Sequence, residues 1–372
     1  MARIVHLANF FGPRTGGLRT TMLNLAREYR DLGHQMHLVV PGARDEEVDL
    51  DGVPTHQIAS PTLPVSGGYR LILRLSRVRR ILDQLQPQAV ELSDRTTLLP
   101  IAKWAHSHGI PVTCIVHERI DGVLNAHAPL LPARPIADSL NRALVQRVDR
   151  IVATTEFAAA EFTRIEVPVL RVPLGVDSQF FHPDKAVRSW REGLRADLIM
   201  VMASRLSREK RPDFGIEVLR SSIAAGVRAH LVVLGDGPLR GRLQAASVGL
   251  PVTYLGFVGD REQLAMILAS ADVVLAPGPI ETFGLAALEA MASGTPVVVN
   301  LSSALREVTG AGGGVALPLH AHAWAQAALR QAQDPQSGSR ARQRALTFTW
   351  SSTAKGLLSA SGLFPVPTSA VR

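Results

Sequence analysis

Glu281 and Glu289 lie in Pro279-Ile280-Glu281-Thr282-Phe283-Gly284-Leu285-Ala286-Ala287-Leu288-Glu289, after the apolar run Asp272-Val273-Val274-Leu275-Ala276. That run reads as a buried parallel strand: it is short, β-branched and ends at Pro277-Gly278. Residues 283–293 read as a helix stopped by Gly294 and Pro296. One carboxylate is then in the strand-to-helix loop and the other about two turns into the helix. At a rise of ~1.5 Å per residue they are separated by at most ~12 Å. Helical side chains lean toward the N-terminus, which draws Glu289 back toward the helix mouth. The free N–H groups there suit phosphate. A nucleotide-sugar could lay its pyrophosphate at that mouth, with one carboxylate near each hydroxyl-bearing ring. The plainer alternative is that Glu281 caps the helix and Glu289 is an exposed face residue.

Arg205 and Lys210 follow another apolar run, in Ser204-Arg205-Leu206-Ser207-Arg208-Glu209-Lys210. Two cations there could hold a diphosphate and neutralise a leaving nucleotide in place of a metal ion; a solvated basic turn is the alternative. His117, in His117-Glu118-Arg119, ends the run Pro111-Val112-Thr113-Cys114-Ile115-Val116 and could donate to a sugar hydroxyl or steady developing positive charge. It could equally be structural. Gly16-Gly17 precedes a helix, and Gly235-Asp236-Gly237-Pro238 follows a strand. Either would let backbone approach a ligand or would simply turn the chain. Neither is a Walker loop, and Arg240 occupies the third glycine position of a dinucleotide fingerprint. Asp49-Leu50-Asp51 lies in a polar stretch and reads as a chance DxD rather than a metal site.

These residues need strand ends to carry them. Strands are expected at 3–9, 36–40, 88–92, 111–116, 150–154 and 168–172, with helices at 18–32, 69–85, 95–107, 136–147 and 156–164. Further strands follow near 197–203, 229–234, 252–255, 272–276 and 296–299. Such alternation predicts parallel sheets of βαβ units, hence an α/β protein with two doubly wound domains and a cleft between them. Val172-Pro173-Leu174-Gly175-Val176-Asp177 reads as the linker. The tail over 320–361 reads as mostly helical, with a last helix opening at Trp350, and the final ten residues as frayed.

The chain has 372 residues, 46% apolar and 19% charged, which suits two packed domains. Its single cysteine, Cys114, excludes an internal disulfide and suits a reducing cytosol. The N-terminal run reads as a first strand rather than a signal peptide, and no stretch approaches the ~18 apolar residues of a membrane span. Net charge is +8, without the basic-aromatic interleaving of a nucleic-acid module, so no nucleic-acid partner is expected. An acidic substrate or an anionic membrane explains it with fewer assumptions. On the expected helix from Tyr69, residues Leu71, Leu75, Val78 and Leu82 form one stripe, while Arg70, Arg74 and Arg77 share another face beside Arg79 and Arg80. That helix could pack normally on its sheet, attract anionic lipid, or do both.

Together, Gly16-Gly17, His117-Glu118, Val172 to Asp177, Arg205 with Lys210, Gly235 to Pro238 and the Glu281–Glu289 pair resemble the retaining GT-B glycosyltransferases of family 4 along the whole chain. Asn9-Phe10-Phe11-Gly12-Pro13-Arg14, Glu91-Leu92-Ser93-Asp94-Arg95, His117-Glu118-Arg119 and Ala276-Pro277-Gly278-Pro279 are similar to the actinobacterial GDP-mannose-dependent phosphatidylinositol mannoside α-mannosyltransferases. The resemblance implies a GT-B fold with an acceptor-side Rossmann-like domain over 1–175, a donor-binding one over 185–348, and a terminal helix near 350–361 packing back on the first. It implies that Arg205 and Lys210 hold the donor diphosphate, Glu289 accepts from the ribose diol and Glu281 contacts the transferred sugar. Backbone N–H groups of Phe283, Gly284 and Leu285 would complete the cradle, Gly16 would approach the diphosphate from the other domain, and His117 would face sugar and acceptor. Transfer would proceed with retention and without cofactor or metal, the leaving phosphate taking the acceptor proton. Thr282 stands where many relatives carry proline.

The expected activity is therefore transfer of mannose from GDP-mannose to a glycolipid such as a phosphatidylinositol mannoside, in the cytoplasm or peripherally at the inner membrane face, with Arg70, Arg74, Arg77 and Arg80 as a membrane or acceptor patch. Within the enzyme class, UDP-glucose or a soluble polysaccharide acceptor remains open. Outside it, a two-domain sugar-binding protein would show a similar pattern.

Overall fold

A computed structural model describes residues 1–12, 16–63, 68–128 and 130–364. The chain divides into two compact units, Met1–Gly175 together with the chain from Trp350 onward, and Val176–Thr349.

In the first unit the strands are β1 (Arg3–Leu7), β2 (Gln35–Gly42), β3 (Glu46–Leu50), β4 (Val53–Ala59), β5 (Ala89–Leu92), β6 (Val112–Val116), β7 (Arg150–Ala153) and β8 (Leu170–Arg171). Their order is β3-β4-β2-β1-β5-β6-β7-β8, parallel except for the β3–β4 pair. The second unit has β9 (Leu198–Ala203), β10 (Ala229–Leu234), β11 (Val252–Gly256), β12 (Val273–Ala276), β13 (Val297–Asn300) and β14 (Gly314–Leu317), ordered β11-β10-β9-β12-β13-β14 and all parallel. Apart from the polar edge strand β3 and its neighbour β4, these strands are largely apolar on both faces because helices cover both sides of each sheet. Val5, Leu7, Val90, Leu92, Val112, Cys114 and Val116 lie in the first core; Met200, Leu231, Val273 and Val298 lie in the second with Trp324, whose ring meets Phe214 edge-on at 5.1 Å. Burial pushes the Cys114 thiol up to about 12 and leaves it unreactive. The last helix, Trp350–Ala360, belongs to the first unit; Gly356 packs against Val172, and Thr353 donates to the Pro173 carbonyl at 2.8 Å.

Several elements depart from the sequence expectation. The polar stretch around Asp49 is a hairpin: Asp51 and Gly52 take φ of 54° and 82°, the left-handed pair of a tight β-turn, and Asp49 accepts the Gly52 N–H at 2.7 Å. The expected helix from residue 69 begins only at Leu75 and runs to Leu85. Its upstream part pairs across the chain instead. Leu63 N–H reaches the Tyr69 carbonyl at 2.7 Å, Arg70 bridges Thr62, and buried Ile72 gives its N–H to Asn9 Oδ1 at 2.9 Å. Leu71 and Arg70 are therefore not on the helix, whose buried face is Val78, Ile81 and Leu82. Helices Ile120–His127 and Arg188–Gly193 are additional. Pro13 to Thr15 of the first glycine loop, Gly67, and all of the expected frayed end beyond Phe364 lie outside the described residues.

Candidate functional site

In each sheet strand order reverses at one point, where loops at the carboxyl ends diverge and leave room for a ligand. In the second unit that point lies between β9 and β12. Arg205 and Lys210 follow β9, Gly235 to Gly237 follow β10, and Glu281 to Leu285 follow β12. Lys210 Nζ and Glu281 Oε2 form an ion pair at 2.5 Å, each about one-quarter exposed. This pair is fixed by close backbone packing. A side chain at Gly278 would meet the Glu209 carbonyl at 3.1 Å and Lys210 Cα at 3.3 Å. Asn300 ties the same loop down by donating to the Pro277 carbonyl at 2.8 Å.

Gly235 and Gly237 have a structural cause of their own. Gly235 sits at φ 114°, and a Cβ there would fall 2.0 Å from the Ser204 carbonyl oxygen; at Gly237 it would fall 2.5 Å from that of Leu206. The loop thus lies directly on the Arg205 segment, stitched by Leu206 N–H to the Asp236 carbonyl and Leu239 N–H to the Leu206 carbonyl, both at 3.0 Å.

Gly284, left-handed at φ 83°, turns the chain into helix Leu285–Ala292, which carries no side-chain cap at its N-terminus. The helix starts two residues later than the sequence suggests because Gly284 takes this turn and buried Phe283 packs edge-on against Phe348 at 5.9 Å. Glu281 is thus a loop residue and Glu289 a helical one. Burial is the main cause that pushes the Glu289 carboxyl up to about 7; Arg261 opposes the shift and Asp177 adds to it.

In the first unit the reversal falls between β1 and β5. His117 follows β6, the next strand, and is half-buried. Its Nε2 meets Ser93 Oγ at 2.7 Å. Burial, then the nearby His6 and Arg95, push its pKa down to about 3, so the ring is neutral. The loop behind it is clamped by a charged network: buried Glu161 accepts the Asp121 N–H at 2.7 Å, Arg119 pairs with Asp121, and Arg95 donates to Asn141, Glu161 and the Glu118 carbonyl. Burial raises the Asp121 carboxyl, but hydrogen bonds and charge from Arg119 and Arg164 outweigh it and hold it at about 2. Gly16 and Gly17 open helix Gly16–Asp31; a side chain at Gly16 would meet nothing within 4 Å, so the fold itself does not demand glycine there.

The arginines expected to share one helical face do not. Arg70 lies before the helix and donates to the Ser60 carbonyl at 2.6 Å. Arg74 is the residue before its first turn and pairs with Asp45 at 3.1 Å, and Arg77 approaches the same carboxylate at 3.7 Å. Asp45 comes from the β2–β3 connection, a partner that spacing within the helix could not reveal. Arg79 and Arg80 are exposed. Among the described residues no group of three or more His, Cys, Asp or Glu is arranged to hold a metal ion. No helix among them is long and apolar enough to cross a membrane.

Residues 16–175 match the family described as glycosyl transferase 4-like domain, and residues 197–334 match glycosyl transferases group 1. The chain is 42% identical to a Mycobacterium tuberculosis GDP-mannose-dependent alpha-(1-6)-phosphatidylinositol dimannoside mannosyltransferase, covering 98% of this chain and 97% of the relative. The chain belongs to this glycosyltransferase family. A more distant relative, a Corynebacterium glutamicum GDP-mannose-dependent alpha-mannosyltransferase, is 26% identical over 80% of this chain and 71% of its own length. Among solved structures, the glycosyltransferase chain is similar to sucrose-phosphate synthase from Thermosynechococcus elongatus, with TM-score 0.78, 19% identity and coverage of 96% and 98% of the two chains. It also resembles Anabaena HepE, solved with UDP and glucose, with TM-score 0.73, 16% identity and the same coverage. At those identities the likeness establishes the GT-B fold, as the sequence motifs implied.

The sequence reading did not single out His6 and Tyr29, and took Glu91 and Ser93 only as part of a resemblance; all four stand behind His117. A charged or polar residue in the middle of an apolar strand, as His6 is in β1 and Glu91 in β5, was the available signal.

Proposed function

We propose that this glycosyltransferase moves mannose from GDP-mannose to a phosphatidylinositol mannoside, with retention and without a metal ion. The observation that carries the reading is the near full-length 42% identity to the mycobacterial mannosyltransferase, joined to a site with the chemistry such a donor needs. Arg205 and Lys210 bind the diphosphate and stabilise the charge that builds as the sugar leaves. Glu281, oriented by Lys210, takes hydroxyls of the mannose. Glu289 accepts from the ribose diol, and the open N-terminus of helix Leu285–Ala292, with Phe283 and Gly284 before it, offers N–H groups to phosphate. The mannosyl C1–O bond to phosphate breaks as the acceptor oxygen bonds C1 on the same face. The acceptor proton passes to the departing phosphate, releasing GDP. His117 and the Gly16-Gly17 turn belong to the first unit, to which we assign the acceptor.

We place the enzyme peripherally at the inner membrane face, held by exposed Arg79 and Arg80 with a lesser share from Arg70, Arg74 and Arg77. Incubation with labelled GDP-mannose and a membrane extract rich in phosphatidylinositol mannosides should label a lipid one hexose heavier than its precursor. Failure to turn over any nucleotide-sugar would overturn the enzyme reading, and stronger thermal stabilisation by UDP than by GDP would overturn the mannose donor.

A further inference from the structure

Directly after His117 the chain forms two helices, Ile120–His127 and Ala133–Val145, joined by a short turn in which Leu131 N–H reaches the Ala128 carbonyl at 3.0 Å. Polar contacts hold this hairpin to its unit. Buried Glu161 accepts the Asp121 N–H, Arg164 donates to Asp121 at 3.1 Å and to Asp138 at 2.9 Å, and Arg95 donates to Asn141 at 2.9 Å. The inward face of the second helix is Ala133, Ala137, Asn141 and Leu144, three of them small or polar. The larger apolar side chains are turned out. Ile120, Leu124 and Ile136 are only half-buried, and among the described residues the hydrophobic core reaches the second helix only at its far end, through Leu144 and Val145. Leu140, one turn from Ile136 on the same face, is 49% exposed; at the tip Leu131 is 48% and Leu130 98% exposed. One exposed leucine needs no cause, but a leucine pair at the tip of a hairpin whose helices also leave apolar side chains uncovered does. The exposed charges of the second helix are positive: Arg134 and Arg142 lie outside, while Asp138 is taken by Arg164.

We propose that the tip of this hairpin, Leu130 and Leu131, enters the hydrocarbon edge of an anionic bilayer, with Arg134 and Arg142 at the level of the lipid phosphates. On the proposed function, on which this assignment rests, the hairpin is where the protein meets the membrane that holds its acceptor. A bilayer suits the tip better than a protein partner does. Hydrocarbon has no fixed shape to match, so two leucines on a turn suffice, and the basic flank answers a negative surface. The first helix starts three residues past His117, so the element that reaches hydrocarbon grows out of the edge to which we assign the acceptor. The tip also differs in kind from the Arg79 and Arg80 surface: burial of leucine is not screened by salt, whereas the pull of arginines on phosphate is.

The single native cysteine makes the test direct. Cys114 is fully buried, so a cysteine placed at the surface of the full chain can be labelled alone. Leu130→Cys carrying an environment-sensitive fluorophore is mixed with vesicles of phosphatidylcholine and phosphatidylinositol. Val248→Cys, at a position 81% exposed in the second unit, is the control. The expected result is a blue shift at position 130, quenched by lipids spin-labelled on the acyl chain, and no shift at position 248. Leu130→Ser with Leu131→Ser should weaken vesicle binding about tenfold or more, by the same factor at low and at high salt, while GDP stabilises the variant as it does the native protein. Both substitutions fall at exposed positions, so the variant folds. A label at position 130 that stays in water, whether or not vesicles bind, overturns the proposal. So does a blue shift that arises without vesicles as protein concentration rises, because a second copy then covers the leucines. Transfer of mannose to lipid with the label in water removes the insertion and keeps the lipid acceptor. Insertion with transfer only to water-soluble acceptors keeps the first and removes the second.

Discussion

At the carboxyl edge of the first sheet, His117 is held by side chains reaching back into the interiors of β1 and β5. At the corresponding edge of the second sheet, Lys210 and Glu281 meet at a partly exposed surface and are held by backbone packed around Gly235, Gly237 and Gly278. Both edges use the same reversal of strand order. The first holds a neutral ring in place through buried polar bonds. The second fixes charges through steric closeness of the main chain, which specifies location but leaves the charged heads open to a ligand. On the proposed function the two devices suit different tasks: orienting a hydroxyl and holding a polyanion.

The sharpest way to separate them is to remove Glu281. Glu281→Ala should lower transfer by about 10²–10³-fold, the usual cost of losing one contact aimed at the reacting group. Stability should change by less than about 1 kcal/mol, because the pair is solvent-accessible. GDP lacks the sugar and should bind about as well as before. His117→Ala, by contrast, should spare GDP affinity and lower turnover, because His117 stands at the edge of the first unit and the proposed nucleotide cations stand in the second. Transfer within threefold of native in Glu281→Ala would reduce the Lys210–Glu281 contact to an ordinary surface ion pair.

The two edges were also unequally legible in the sequence. Glu281, Gly284 and Glu289 fall within one loop and helix, so spacing alone assigned one carboxylate to the loop and the other to the helix. The hydrogen-bonded set behind His117 is scattered over residues 6, 29, 91, 93 and 117, and strand register brings its parts together: Leu7 pairs with Leu92, and Leu92 with Cys114. Periodicity within a segment carries no information about such neighbours. The same limit explains the arginine helix, where the apolar spacing from Leu71 was genuine but buried Ile72 and its bond to Asn9 drew the chain into an extended pairing. The β3–β4 hairpin was concealed differently, since Glu46 to Leu50 alternates charge along an edge strand and lacks the apolar run by which the other strands were found.

A second measurement sharpens the contrast through pH. Burial raises the Glu289 carboxyl from its ordinary range to about 7. The folded protein therefore holds that proton more tightly than the unfolded chain, a contribution to stability fully present below about pH 4.5 and lost as pH rises through about 7. The ribose diol prefers the ionised carboxylate, so GDP binding should strengthen over the upper part of that range. Melting temperatures of native protein relative to Glu289→Gln should decline from pH 5 to pH 8, while the increment given by GDP grows. Parallel profiles in the two proteins would show that Glu289 is neither burdened by burial nor engaged with the nucleotide.

The smallest expected effect lies on the surface of the first unit, where charge is held by neither device. Arg74 and Arg77 share Asp45, and Arg70 is turned to the Ser60 carbonyl, so their pull on an anionic surface is partly offset. Arg79 and Arg80 are exposed on the helix that packs Val78, Ile81 and Leu82 inward. If this face touches phospholipid, Arg79→Ser with Arg80→Ser should weaken binding to phosphatidylinositol-containing vesicles by ~1 kcal/mol per residue, about fivefold each, and more than Arg70→Ser with Arg74→Ser does. The loss should shrink as salt is raised, because charges at a hydrated interface are screened over ~10 Å at 0.1 M. GDP binding should be untouched in both variants, since the cations proposed for the nucleotide, Arg205 and Lys210, lie in the second unit. Equal vesicle binding by all three proteins would leave these arginines as the solvated face of an ordinary sheet-packing helix.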